Sequence, residues 1–236
     1  MFTKRWFVIL IAIALVASAC GGEEGVSFDG PRLATEASSL QAASATAMGN
    51  VESVRFQLER TGAPVYVDQV ESIALDELEG RFSLPGSADA ILEVTVNGSL
   101  GTKLGAVAID DEVWLSNPVT GKFETLPLGF DLDPSLFFDP KEGWQPLIES
   151  LTNVTFVAEE SDGRYALTGT APAERMQSIT AGLVRGQDVD LDLWLNPVTA
   201  EVLTIEFSTE FDGETSDWVL NLFEYGGTFD ITPPEE

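Results

Sequence analysis

Polar and apolar residues alternate along most of this chain, with the period of half-buried β-strands. Asp188-Val189-Asp190-Leu191-Asp192-Leu193 alternates without a break, so one face of that strand is wet and the other buried. In Val51–Glu59, Val54, Phe56 and Leu58 alternate with Arg55, Gln57 and Glu59. In Ala90–Asn97, Leu92, Val94 and Val96 do the same against Glu93 and Thr95. Further strands are predicted over Ser72–Ser83 (one or two), Lys103–Leu115, Val154–Glu159, Arg164–Thr170, Val202–Thr209, Asp217–Glu224 and Thr228–Thr232. Turn signals punctuate them: Pro85-Gly86, Asn97-Gly98, Asp110-Asp111, Ser161-Asp162-Gly163 and Phe211-Asp212-Gly213, of which Asn-Gly is the strongest hairpin signal.

Four segments break the alternation. An Ala- and Ser-rich stretch predicts a weakly amphipathic helix over about 31–47, with Pro31 in its first turn and Gly49 as its stop. Asp133–Phe138 predicts a short helix capped by Asp133, and Gly143–Leu151 a second. Ala171–Val184 predicts a third, with Met176, Ile179 and Leu183 near one face. Two stretches echo each other, Val113–Gly121 and Leu193–Ala200, both strand, Asn-Pro turn, strand. They read as two similar hairpins, since Asn-Pro initiates turns well, and the surrounding sequence does not repeat. The whole predicts an α+β fold, a large curved antiparallel sheet with helices segregated onto one side.

The N-terminus follows a different grammar. Lys4 and Arg5 precede the apolar run Trp6–Val16, and Ala17-Ser18-Ala19-Cys20 follows. The run is shorter than the ~20 residues a spanning helix needs, and it ends in small residues, as secretory signals do. Residues 1–19 are expected to be a leader, 20–29 a flexible tether, and 30–236 one domain. The formal charge is −27, and −29 without the leader. Such a body does not bind nucleic acid or an anionic leaflet by charge. There is no histidine and one cysteine, which removes the usual catalytic triads, the commonest zinc ligand and any internal disulfide. Asp110-Asp111-Glu112, Asp131/Asp133 and Asp188/Asp190/Asp192 lack calcium-loop spacing. No pair of carboxylates is marked for glycoside hydrolysis either. These features point to a binding protein, with no cofactor and no enzymatic activity expected.

Three segments carry a family resemblance: FDLDPSLFFDPKEGWQPLIESL (130–151), LWLNPVTAEVLTIEFS (193–208) and LNLFEYGGTFDITPP (220–234). The chain resembles the LppX/LprAFG cell-envelope lipoproteins over about residues 30–234, and Ala17–Cys20 resembles a lipobox. The resemblance implies a half-open barrel, related to the LolA and LolB carriers, with helices covering its concave face around an apolar cavity. It implies a lipid or lipoglycan ligand and a diacylated (palmitate-type) Cys20 holding the protein on the outer leaflet of the cell membrane. An envelope transporter is a candidate partner. A lining is then expected from helix stripes, Leu40, Phe137, Phe138, Trp144, Leu147, Met176, Ile179 and Leu183. Inward strand faces would add Phe56, Val94, Leu104 and Leu193. Phe137 and Phe138 are adjacent and are expected to form a gate or exposed lip, since both should not face one core. The alternative function is a non-enzymatic envelope sensor or protein-interaction module on the same fold.

Overall fold

The computed structural model describes residues 28–68, 70–110, 112–118, 120–125, 137–139 and 141–234. Cys20, the leader and the Asp133 cap therefore lie outside the described residues. Helix α1 is Ala37–Gly49, followed by β1 (Ser53–Gly62), β2 (Val65–Tyr66), β3 (Ile73–Ser83), β4 (Ser87–Val96), β5 (Leu100–Ile109), β6 (Glu112–Ser116) and β7 (Phe123–Thr125). The second half holds α2 (Trp144–Ser150), β8 (Thr152–Glu159), β9 (Tyr165–Ala171), α3 (Ala173–Ile179), β10 (Val189–Leu195), β11 (Val202–Phe211) and β12 (Glu214–Phe223).

All twelve described strands form one antiparallel sheet in the order β7-β6-β5-β4-β3-β1-β12-β11-β10-β9-β8, with β2 added beside β3. Its edges, β7 and β8, do not meet, so the sheet is an open half-barrel. Alternation works as expected: in β10, Val189, Leu191, Leu193 and Leu195 are buried while Asp190 and Asp192 are exposed. The two echoed hairpins share one turn geometry. Asn117 and Asn196 each accept from the residue four later, at 2.9 Å, and each side-chain carbonyl accepts from the Thr three later. The Asn-Gly signal is realised with positive φ at both Asn97 and Gly98.

The helices lie on the buried face, where Leu40, Met48, Trp144, Leu147, Ile148, Met176 and Ile179 join one hydrophobic core with the inward strand residues. Three predicted elements end elsewhere. Helix α1 begins at Ala37 rather than near Pro31, because Leu33 N–H donates to the Pro197 carbonyl (2.8 Å) and holds residues before it extended. Glu36 then caps the helix, accepting from Ser39 N–H and from the Ser38 and Ser39 hydroxyls, which hold its carboxyl below the usual range. The third helix stops at Ile179, not Val184: Ala181 and Gly182 take positive φ, and Gly182 N–H caps the Gln177 carbonyl at 2.7 Å. Thr228–Thr232 forms no strand, since both sides of β12 are already paired, with β1 and β11. That segment instead lays Phe229 under the guanidinium groups of Arg55 and Arg81.

Polar side chains fasten the helices. Gln41 Nε2 donates to the Ile148 and Leu151 carbonyls at 2.9 and 3.0 Å, adding to the Leu151 N–H that already caps Ile148 at the C-terminus of α2. Burial, with Glu201 nearby, pushes the Tyr225 phenol well above its usual range, so it stays a donor to the Val202 carbonyl. Ser44 is the exception: among the described residues, its buried Oγ has no hydrogen-bond partner. It borders a hollow of about 10 Å³ whose other walls are mostly aliphatic, which gives a bridging water too few polar partners. Ser44→Ala is therefore expected to stabilise the chain by about 1 kcal/mol, from removing an unpaired hydroxyl and from better helix propensity. Thermal unfolding checks this, and a lowered midpoint would mean that the hydroxyl is paired.

Candidate functional site

A cavity of about 70 Å³ lies between the inner face of the sheet and α2–α3. Its origin is a row of residues running across neighbouring strands. Phe56 pairs with Gly80, Gly80 with Ala90, and Ala90 with Ala106. The next inward row is Leu58, Leu78, Leu92 and Leu104. Leu58, Leu78 and Leu92 of that second row border the hollow, and the small Gly-Ala-Ala row leaves the space beside them open. Gly80 also lets the Phe56 ring lie across β3, since a Cβ there would stand 2.5 Å from the ring.

The helical wall comes from Phe137, from Trp144 on α2, and from Met176 and Ile179 on α3. Leu191, Ile205, Phe207, Trp218 and Leu220 complete the far side on β10–β12. The half-buried lining residues are Phe137, Leu58, Phe207 and the 180–183 turn. Leu58 and Phe207 lie just past the middle of β1 and β11, and with the turn leading into β10 they place the mouth on the side where β1 and β11 finish and β10 begins.

The Trp218 and Thr180 side chains in this wall already have hydrogen-bond partners. Trp218 Nε1 donates to Thr209 Oγ1 at 2.9 Å. Thr180 Oγ1 donates to the Met176 carbonyl (2.6 Å) and accepts from Val184 N–H (3.0 Å). Among the described residues no charged side chain lines the cavity, so a ligand meets carbon on those walls and is held there by hydrophobic burial and packing. Among the described residues no cluster of three His, Cys, Asp or Glu could hold a metal.

Of the expected lining residues, Phe56, Phe137, Trp144, Met176, Ile179 and Leu183 border the cavity. Leu40, Val94, Leu104 and Leu147 are buried core residues outside it. Leu193 faces the small hollow near Ser44 instead. The expectation that Phe137 and Phe138 could not share one core fails. Both rings pack on Phe56, at 5.8 and 6.4 Å, and Phe138 also stacks on Phe82 at 4.4 Å. A residue as long as Phe56 offers a surface that two adjacent rings can reach. Gly143 permits the tight link from this pair to α2, because a Cβ there would meet the Phe137 carbonyl at 2.4 Å. Residues that the pattern did not single out include Ala90, Ala106, Ile205, Phe207 and Trp218. Their inward parity was readable, but their place in one row needed the strand register.

Comparison with known proteins agrees with this geometry. The chain resembles the crystal structure of LprF from Mycobacterium bovis with a TM-score of 0.65 at 15% identity, covering 87% of this chain and 100% of that one. It resembles lipoprotein LppX from Mycobacterium tuberculosis with a TM-score of 0.57 at 16% identity, covering 84% and 100%. At such identities the likeness is one of fold. No curated protein sequence matches the chain significantly. The sequence model of the LppX_LprAFG lipoprotein family matches residues 36–231, which take in every helix and strand described above. The chain therefore belongs to the LppX/LprAFG lipoprotein family.

Proposed function

We propose that this protein binds the acyl chains of a lipid or lipoglycan in the cavity and carries or presents them in the cell envelope, without catalysing a reaction. Residues 1–19 are its leader, and an acylated Cys20 with the tether to residue 29 holds the domain on the outer face of the cell membrane. The observation that carries the reading is a hollow lined almost wholly by carbon, in which the Thr180 and Trp218 polar groups are turned to protein partners. Left empty, a hollow of that size costs about 2 kcal/mol at ~24 cal/mol per Å³. Filled by an acyl chain, it gains roughly 0.8 kcal/mol for each CH₂ buried. Membership of a lipoprotein family supports the anchor.

The test is native mass spectrometry of the purified chain. The wild type is expected to carry lipid. Ala106→Phe, which fills the hollow from the sheet, and Ile179→Glu, which places a charge in its wall, are each expected to lower lipid occupancy about tenfold or more. A lipid-free wild type, or an Ala106→Phe variant that is folded and fully loaded, would overturn the reading. A stable protein partner with no lipid exchange would favour the sensor alternative instead.

A further inference from the structure

Three exposed apolar side chains stand on the end of the sheet that carries the mouth. Val70, in the turn between β2 and β3, is 80% exposed; Leu100, opening β5, is 63% exposed; Phe211, closing β11, is 73% exposed. The turns that bear them are linked neighbours. Asn97 N–H donates to the Ser72 carbonyl (2.7 Å), and Ala63 N–H to the Thr215 carbonyl (2.8 Å). Gln187 exchanges two hydrogen bonds with the Glu210 backbone, at 2.8 and 3.0 Å. Together these turns make one rim running from β5 across to β10.

The rim continues the cavity. Strand parity puts Phe211 on the same face as Ile205 and Phe207, and Leu100 on the same face as Leu104 and Ala106. The inner faces that carry the lining residues Ala106, Ile205 and Phe207 thus lead to the tips, with one threonine, Thr102 or Thr209, between each tip and the hollow. A lone exposed Leu needs no explanation, but three apolar tips on one rim in line with a ligand cavity form a patch. Asp68 ties the chain before Val70 to the start of β3. Burial alone would raise the Asp68 carboxyl, yet hydrogen bonds from Ser72 Oγ and from the Ser72 and Ile73 N–H groups hold it below the usual range. Exposed charges beside the tips are Glu71, Glu210, Asp212 and Glu214 against Arg185, and an acidic rim repels an anionic surface.

The chain enters the fold at the opposite pole. Leu33 N–H bonds the Pro197 carbonyl, and Arg32 the Gly163 carbonyl at 3.2 Å, in the turns joining β10 to β11 and β8 to β9. Cys20 lies eight residues before Phe28, a reach of at most about 28 Å. A ten-residue strand such as β11 spans about 33 Å. A domain held in a bilayer through Cys20 therefore stands with its mouth facing away from that bilayer in the arrangement that leaves the tether unstretched.

We propose that Val70, Leu100 and Phe211 dock the cavity mouth onto an uncharged or zwitterionic lipid layer other than the one holding the tether. This rests on the lipid-cavity and Cys20-anchor readings above. The test places the full chain in phosphatidylcholine vesicles through its N-terminal segment and adds a second, fluorescently labelled set of phosphatidylcholine vesicles. Energy transfer between the two sets reports bridging. The wild type is expected to bridge, and the triple variant Val70→Ser, Leu100→Ser, Phe211→Ser to bridge about tenfold less or weaker. These exposed positions leave folding nearly untouched. Phosphatidylglycerol in the second set is expected to weaken wild-type bridging. Equal bridging by the triple variant would overturn the proposal. So would loss of self-association with bridging unchanged, which would make a second copy of the chain the occupant. Lipid bound to the triple variant, read by mass spectrometry, is expected to match the wild type. If neither form holds lipid yet only the wild type bridges, docking stands and the cavity reading falls.

Discussion

Phe56→Ala is expected to lower the free energy of unfolding by about 3–5 kcal/mol, the upper range for truncating a buried side chain. The ring is 1% exposed and stands at the centre of the sheet on β1. It covers the bare backbone of Gly80 and supports both Phe137 and Phe138. Nothing on the sheet side can collapse into the space: across the strands lie Gly80, Ala90 and Ala106, and the new void would merge with the existing cavity. Poor collapse is the condition under which truncation costs most. The aromatic link from Phe137 to Trp144, 6.3 Å between centroids, would lose its support on the sheet side as well. Urea unfolding followed by tryptophan fluorescence checks this, with the midpoint falling and the denaturant slope unchanged. A loss below about 1 kcal/mol would mean that the Phe137–Phe138 segment is held by other contacts.

The same residues show how far the sequence could be read. Phe56 was legible because alternation in β1 fixed its inward parity, and the α+β sheet with helices on one face followed from such parities repeated along the chain. Ala90 and Ala106 were not legible as site residues. A search for a binding surface picks large apolar side chains, but Leu104, Val94 and Leu147 are the ones that fill space. The hollow lies where large residues are missing, and small residues make a hollow only if the register aligns them across strands. Register is a long-range property that single-strand periodicity does not contain. Gly182 carried its signal in plain sight, as a glycine that could end a helix. The apolar face continuing to Leu183 suggested a longer helix than the backbone takes. Thr228–Thr232 has strand-like residues, but no strand edge is free beside β12.

Arg60→Ala is expected to cost about 2–4 kcal/mol and to loosen the mouth of the cavity. Parity puts Arg60 on the inner face beside Leu58, and its side chain is only 6% exposed. The ladder between β1 and β3 ends at Glu59 and Glu77, where β3 is irregular between Leu75 and Glu77. Past that point the guanidinium takes over the role of a strand partner. Its Nε donates to the Leu75 carbonyl, and Nη1 to the carbonyls of Ala63 and Gly62. The ion pair of Nη2 with Asp76, at 3.0 Å, matters less, because Asp76 is 41% exposed and rehydrates when its partner leaves. The expected cost therefore comes from stranded carbonyls and lost packing. Arg60→Lys keeps the charge but not the fork, so a loss close to that of alanine is expected. Leu58 and Leu75 both border the cavity. Faster lipid exchange with vesicles should accompany the lower unfolding midpoint. A lysine variant as stable as the wild type would show that charge, not the forked set of hydrogen bonds, holds this end of the sheet.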